Sequence, residues 1–240
     1  MNGEEKGTIA YKIERFASLP STSDYAKQKR GLGENLIVVA ESQSGGRGTK
    51  GRSFSSNKGG VYLSVLTFYN EFPAVRAFEI MQNTAVAVCK TLACYGLKPQ
   101  IKWPNDIFVN GKKICGILME NTLSGRYILS SVVGVGINVC NELETELSMI
   151  ATSIYKETKK RIATREVEET FIDFLQRDLH EDYEKYLGFI GETVRIANGE
   201  SLEKVVILGV DETGNLVAES QDGVRSFASA EVSLLTGVEV

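Results

Sequence analysis

Apolar and polar positions change period several times along the chain, and each change marks an element. Residues 8–17 alternate weakly, which predicts an edge strand. Ser21 then caps a short helix predicted over Thr22–Arg30, with Asp24 completing a capping-box-like pair and Gly31 ending it. Residues 36–42 read as an apolar strand, and Val61–Leu66 as the next. Over Ala74–Tyr95, Val75, Phe78, Met81, Ala85, Val88, Cys89 and Leu92 recur at helical spacing, and Gly96 terminates the run. This is the main core helix.

Strands follow at Gln100–Trp103, Asp106–Val109 and Lys112–Glu120. Asn110-Gly111 between the last two tolerates the positive φ of a type I′ hairpin turn. A further strand runs from Tyr127 to Val135 and into Gly136-Ile137-Asn138-Val139. Thr164 opens an amphipathic helix carrying Val167, Phe171, Phe174, Leu175 and Leu179, expected to end near Leu187-Gly188. The pattern predicts an α+β unit, a mostly antiparallel sheet with helices on one side. Beyond Gly188 the runs become short and alternating, punctuated by Asn198-Gly199, Gly214-Asn215 and Asp222-Gly223. That grammar predicts a small all-β barrel. The expected domains are 1–188 and 189–240, and a chain cut after Gly188 is expected to stay folded.

Composition narrows the chemistry. A chain of 240 residues buries about three quarters of its unfolded surface and needs no disulfide or metal for stability. A net charge of −4 argues against general nucleic-acid binding, which requires a basic face. Cys89, Cys94, Cys115 and Cys140 form no C-x-x-C, and with one histidine a zinc site is not indicated. They read as buried free thiols of a reducing compartment. Met1–Lys6 has no apolar core, and no apolar run approaches the ~20 residues of a membrane span. A cytoplasmic, soluble protein is expected.

Gly45-Gly46-Arg47-Gly48-Thr49-Lys50-Gly51-Arg52 follows the apolar strand directly. Its glycines permit tight turns and close backbone approach, and its cations cannot neutralise one another. Guanidinium forks and a nest of exposed backbone N–H groups would suit a phosphate-bearing small molecule; a solvated surface loop fits the same residues. Gly46–Gly51 also matches G-x-G-x-x-G, but no helix opens at the third glycine, so a dinucleotide fold is rejected. There is no Walker-type G-x-x-x-x-G-K-[ST] run, and His180, followed by Glu181, offers no kinase catalytic loop.

Other segments carry weaker signals. In Lys102-Trp103-Pro104-Asn105-Asp106 the chain bends at Pro104, and an amide beside a carboxylate suits a magnesium–phosphate contact; an ordinary β-turn suits it too. Strand alternation places Lys113 with Cys115 and Ile117, in apolar company where an anionic partner is wanted; a snorkelling strand-end lysine is the alternative. Gly134 and Gly136 within a strand imply close approach by a ligand or by backbone, or else a β-bulge.

These segments together, from about residue 8 to residue 237, resemble the biotin–protein ligases. The glycine-arginine loop, Lys-Trp-Pro-Asn-Asp, Lys113 with Gly116 and Gly-x-Gly-Ile-Asn occur in that family's order. Leu19-Pro20-Ser21-Thr22-Ser23 is similar to its biotin-contacting entry, with Ser23 in the asparagine place. The resemblance implies a class II synthetase-like catalytic domain, followed by a small SH3-like β-barrel. It implies ATP-dependent formation of biotinyl-5′-AMP and transfer to a lysine of a biotin carboxyl carrier domain. By the same resemblance Lys113, Arg47, Asp106 and Asn105 are catalytic, with Asn105 and Asp106 toward Mg²⁺–nucleotide and the acceptor lysine. Ser21, Thr22, Ser23, Gln43, Arg47, Gly48, Thr49, Lys113 and Gly116 would hold biotin. Arg52, Lys50, Asn138, Thr152 and Ser153 would serve ATP, with Asn138 on the adenine side.

Two departures stand out. Thr49 occupies a place where the family's bacterial members usually carry arginine. No room is seen for the N-terminal DNA-binding domain of some members, so a monofunctional enzyme that ignores DNA is expected, as monomer or homodimer. A lipoate or octanoate ligase or transferase of related fold, and a non-catalytic protein-binding module, are the alternatives.

Overall fold

A computed structural model describes residues 9–198, 201–229 and 233–235; the side chain of Lys50 lies outside the description. In chain order the elements are β1 (Lys12–Phe16), α1 (Thr22–Gln28), β2 (Leu36–Ala40), β3 (Val61–Pro73), α2 (Ala77–Cys94), β4 (Gln100–Lys102), β5 (Asp106–Val109), β6 (Lys112–Ser124) and β7 (Tyr127–Ile137). Then come α3 (Leu147–Ile150), α4 (Ile154–Thr158), α5 (Thr164–Leu175), α6 (Tyr183–Tyr186), β8 (Thr193–Asn198), β9 (Ser201–Val210), β10 (Leu216–Ser220), β11 (Gly223–Phe227) and β12 (Ser233–Leu235).

The first seven strands form one sheet, ordered β1-β2-β3-β7-β6-β5-β4. Only β1 and β2 pair in parallel, so the sheet is mixed but mostly antiparallel, with β1 at an edge as expected. One face packs Leu63, Val65, Cys115, Ile117, Val133 and Val135 against α2 and α5. The opposite face is not bare. There α1 buries Ala26 against Leu36, Val38, Leu66 and Val132, so helices cover both sides rather than one.

Local chemistry explains most boundaries. Ser21 Oγ accepts from the backbone N–H of Asp24, capping α1, which frays through a 3₁₀ turn and stops at Gly33 (φ 69°) rather than Gly31. Asp24 does not close a capping box; its carboxylate pairs with Lys27 and Arg47. Asn110 and Gly111 take φ of 50° and 75°, the expected hairpin turn. Val75 is 73% exposed, since the main helix opens only at Ala77 after a 3₁₀ turn. The amphipathic helix from Thr164 ends at Leu175, well before Leu187, because Asn83 on α2 intervenes. Its Nδ2 donates to Leu175 O at 3.1 Å and its Oδ1 accepts from Leu179 N at 2.7 Å. Cys89 and Cys115 are buried, whereas Cys94 is exposed and Cys140 half-buried. Among the described residues no helix is long and apolar enough to cross a membrane.

The second sheet is antiparallel, ordered β11-β10-β9-β8-β12. It does not stand apart. Val194, Ile196, Ile207 and Leu216 belong to the same buried cluster as Ile101, Trp103 and Leu187. Trp103 Nε1 donates to Gly214 O at 2.9 Å, and Phe78 sits where a Gly214 side chain would be.

Candidate active site

The α1 face of the sheet loses its side chains in steps. Under α1 lies the row Leu66–Val132–Glu120; next comes Ser64–Gly134–Leu118, and then Tyr62–Gly136–Gly116. Along β7 the row centres shrink from Val132 to Gly134 and Gly136, and with Gly116 on β6 these glycines leave space above the strands. A cleft open to solvent at its mouth occupies that space, lined by Thr22, Gln43, Arg47, Asp106, Lys113 and the glycines of the strands. The glycines admit neighbours, as their position in a strand implied, but the neighbours are side chains. A Cβ on Gly134 would lie 2.6 Å from Ser23 Oγ, and one on Gly136 2.5 Å from the Phe54 ring. The register is unbroken across both, so neither marks a bulge. Gly136→Val should therefore expel the Phe54 ring and fill the cleft floor. We expect at least tenfold weaker ligand binding with little change in unfolding temperature; unaltered binding by isothermal titration would refute it.

At one end the N-terminus of α1 supplies hydroxyls. Thr22 Oγ1 and Ser23 Oγ both bond to Ser64 Oγ, at 2.8 and 2.9 Å. Gln43 is bound at both ends: Oε1 accepts from Thr22 N at 2.8 Å, and Nε2 donates to Ser56 Oγ at 2.9 Å. This end is polar, buried and pre-ordered.

At the other end the charges meet. Lys113 Nζ lies 2.7 Å from Asp106 Oδ1, with both side chains partly exposed to the cleft. Alternation had set Lys113 beside Cys115 and Ile117, which instead face the core. The β5–β6 register shifts at Ile114, leaving Ile107 opposite Cys115 and Phe108 opposite Lys113. That extra residue turns Lys113 to the glycine face, where its Cε is 3.1 Å from a Cβ built on Gly116. The Cys115 thiol stays in the core, where burial pushes its pKa up.

The glycine-arginine loop is an ordered arm rather than an open nest. Gly45 N donates to Pro20 O, Gly48 N to Arg52 O, Arg52 N to Thr49 O and Phe54 N to Gly46 O. Those four N–H groups are taken by the arm itself and by Pro20, and the arm presents side chains to the cleft. Arg47, Gly48 and Thr49 line the cleft; Arg47 Nη1 donates to Asp24 Oδ1 at 2.6 Å. Burial raises the Asp24 pKa, but hydrogen bonds from Lys27 and Arg47 outweigh it and leave it below the ordinary value. Arg52 is exposed and outside the cleft lining.

Lys-Trp-Pro-Asn-Asp splits between two tasks. Trp103 and Pro104 face the core and the second sheet, with Tyr183 Oη donating to Pro104 O at 3.2 Å. Asn105 lines the cleft, yet its Nδ2 donates to Ile117 O at 2.6 Å, tying the bend to β6. Asp106 is the member of this run whose carboxylate faces the cleft.

The structure brings together Thr22, Ser23, Gln43, Arg47, Gly48, Thr49, Asn105, Asp106, Lys113 and Gly116. It leaves others outside the lining. Ser21 is a helix cap. Asn138 donates to Thr152 O and accepts from Asn141 Nδ2, Thr152 Oγ1 donates to Glu157, and Ser153 caps α4. These residues pin the chain after β7 onto β6, since Thr152 N donates to Lys113 O at 2.8 Å. Phe54 and Leu118 also line the cleft, and Ser64 lies buried beneath Thr22 and Ser23; sequence alone does not single out these three. A lone aromatic in a polar loop and a serine in an apolar strand were the available signals for Phe54 and Ser64.

The pattern of the biotin/lipoate A/B protein ligase family matches residues 15–138, and that of the biotin protein ligase C-terminal domain matches 189–235. The bifunctional ligase/repressor BirA of Bacillus spizizenii is 32% identical over 219 residues, 84% of this chain and 66% of that protein. The chain thus spans just under two thirds of that relative's length. The biotin--[acetyl-CoA-carboxylase] ligase of Paracoccus denitrificans is 25% identical, with 88% and 95% covered. A biotin protein ligase from Aquifex aeolicus, solved with biotin and ATP, superposes with a TM-score of 0.79 at 26% identity, covering 94% of this chain and 99% of that one. The family pattern spans the strands, the glycine-arginine arm and the lysine–aspartate pair that build the cleft, and the chain belongs to the biotin/lipoate A/B protein ligase family.

Proposed function

We propose that this protein is a biotin–protein ligase. The carrying observation is one cleft with buried hydroxyls at one end, Lys113 and Asp106 at the other, and Arg47 lining it from the arm beside the start of α1. Biotin has that polarity, a hydrogen-bonding head joined by an alkyl chain to a carboxylate. The Aquifex enzyme that resembles this chain over nearly its whole length was solved with biotin and ATP.

In the proposed reaction a biotin carboxylate oxygen attacks the α-phosphorus of ATP. The bond to the bridging oxygen breaks, and pyrophosphate leaves with the electron pair. Two anions must be held together while charge builds on the phosphate, which requires fixed cations in a partly dry cleft. Lys113 suits that bridging place. In the second step a lysine amine of a biotin carboxyl carrier domain attacks the acyl carbon, AMP departs, and an amide forms. Asp106, the lining carboxylate, suits orienting that amine. Magnesium arriving with ATP would find one carboxylate here, adequate for an ion that keeps water and phosphate ligands. Asn105 donates to Ile117 O through Nδ2, so a contact to the metal–nucleotide side would use its Oδ1.

Biotin-dependent exchange of labelled pyrophosphate into ATP tests the reading directly. Exchange with lipoate or octanoate instead would favour the related ligases, and none with any acid would leave a binding module.

Thr49 bears on retention of the intermediate. It is exposed, lines the cleft and opens the turn at the tip of the arm. A threonine offers one neutral hydrogen bond, about 1 kcal/mol, where a charged donor gives about 1.5–3. Thr49→Arg is expected to slow release of biotinyl-AMP about tenfold, at ~1.4 kcal/mol per decade. Single-turnover release without acceptor measures it; an unchanged rate would mean that the arm already clamps by other means.

A further inference from the structure

Among the described residues, Arg47 is the cation of the glycine arm that lines the cleft, and half of its side chain is exposed. A long side chain in that setting has many rotamers, and most of them point into water. Asp24 restricts it. Its Oδ1 accepts from Arg47 Nη1 at 2.6 Å, and the same oxygen accepts from Lys27 Nζ at 3.2 Å. Lys27 also reaches Glu120 Oε1 on β6 at 2.8 Å. A chain of alternating charge, Arg47–Asp24–Lys27–Glu120, thus runs from the arm across α1 to the sheet. The Asp24 backbone is fixed as well, because its N–H is bonded to the Ser21 cap.

We propose that Asp24 is a positioning residue, taking one N–H of Arg47 and turning the rest of the guanidinium toward the anionic end of the ligand. The proposal rests on the ligase reading above. Guanidinium carries five donors in a rigid plane, so fixing one fixes the directions of the others. The Asp24 carboxylate also repels an incoming phosphate. That repulsion is weak here, because Asp24 is 45% exposed and already paired with Arg47 and Lys27. Directed, charge-assisted hydrogen bonds from Arg47 are the stronger effect. Thr49, in a place where the family often has arginine, leaves more of this task to Arg47.

The test uses the full chain. Biotin-dependent pyrophosphate exchange by the unaltered protein comes first; its absence would sink the ligase reading and not the role of Asp24. Given exchange, Asp24→Ala should lower kcat about tenfold with biotin KM within about twofold, since Thr22, Ser23 and Gln43, which would hold the polar head, are fixed by bonds of their own that do not involve the Asp24 carboxylate. Release of labelled biotinyl-AMP should quicken by about the same factor. Asp24→Asn keeps the acceptor oxygen and should recover to within about threefold of the unaltered protein. In an Arg47→Ala background, Asp24→Ala should change neither quantity further, because Asp24 acts through Arg47. An equal loss in both backgrounds would make Asp24 merely structural. Slower release from Asp24→Ala would make it a competitor for Arg47. Either result overturns the proposal.

Discussion

Replacing Lys113 by glutamine is expected to slow biotin adenylation about 100-fold or more while leaving the protein folded. The backbone at Lys113 is held independently of its side chain: its carbonyl accepts from Thr152 N, and it bridges Ala151. Its ion pair with Asp106 is partly exposed, and pairs of that kind add little stability. The charge is a different matter. Glutamine keeps most of the length and a donor but not the cation, and it leaves Asp106 alone in the cleft to repel two anionic substrates. Pyrophosphate exchange and a thermal melt decide the matter together. A near-normal rate in a folded variant would remove Lys113 from the reaction.

Cutting the chain after Gly188 should destabilise what remains. The sequence reads as two separable units, yet Trp103 is 3% exposed, and its indole N–H is bonded to Gly214 beyond the cut. Ile101 and Leu187 share a cluster with Val194, Ile196, Ile207 and Leu216. Uncovering one such aromatic and its neighbours costs on the order of 3–5 kcal/mol, the scale of a buried Trp→Ala deletion. Against a total of about 5–15 kcal/mol that is a large fraction. The truncated chain should melt roughly 10 °C lower, or fail to accumulate in soluble form. Because Trp103 and Pro104 lead directly into Asn105 and Asp106, ligation should fall as well. An unchanged melting temperature would show the second sheet to be an independent appendage.

Much of this was legible in the chain. Period-two and period-3.6 patterns mark the strands and α2, and Asn110-Gly111 marks its hairpin, because these signals depend on neighbours a few residues apart. The arm, Lys113 and Asp106 could be singled out because glycine and paired charges are costly without a purpose. The end of the helix from Thr164 was hidden, since it is set by Asn83 on another helix. Asn138, Thr152 and Ser153 hold the chain after β7 through bonds to one another's segments, a structural task that no local pattern announces.

Sequence by itself determined which elements form and which side chains are unusual enough to be chemical. Tertiary structure decided where those side chains point. One extra residue at Ile114 moved Lys113 from the core face to the cleft, because strand facing reverses with each residue of register. The cleft itself exists only when Ser64, Gly134, Gly136 and Gly116 come together from three strands beyond the end of α1. No local pattern encodes that vacancy, because it is made by distant residues that are each merely small.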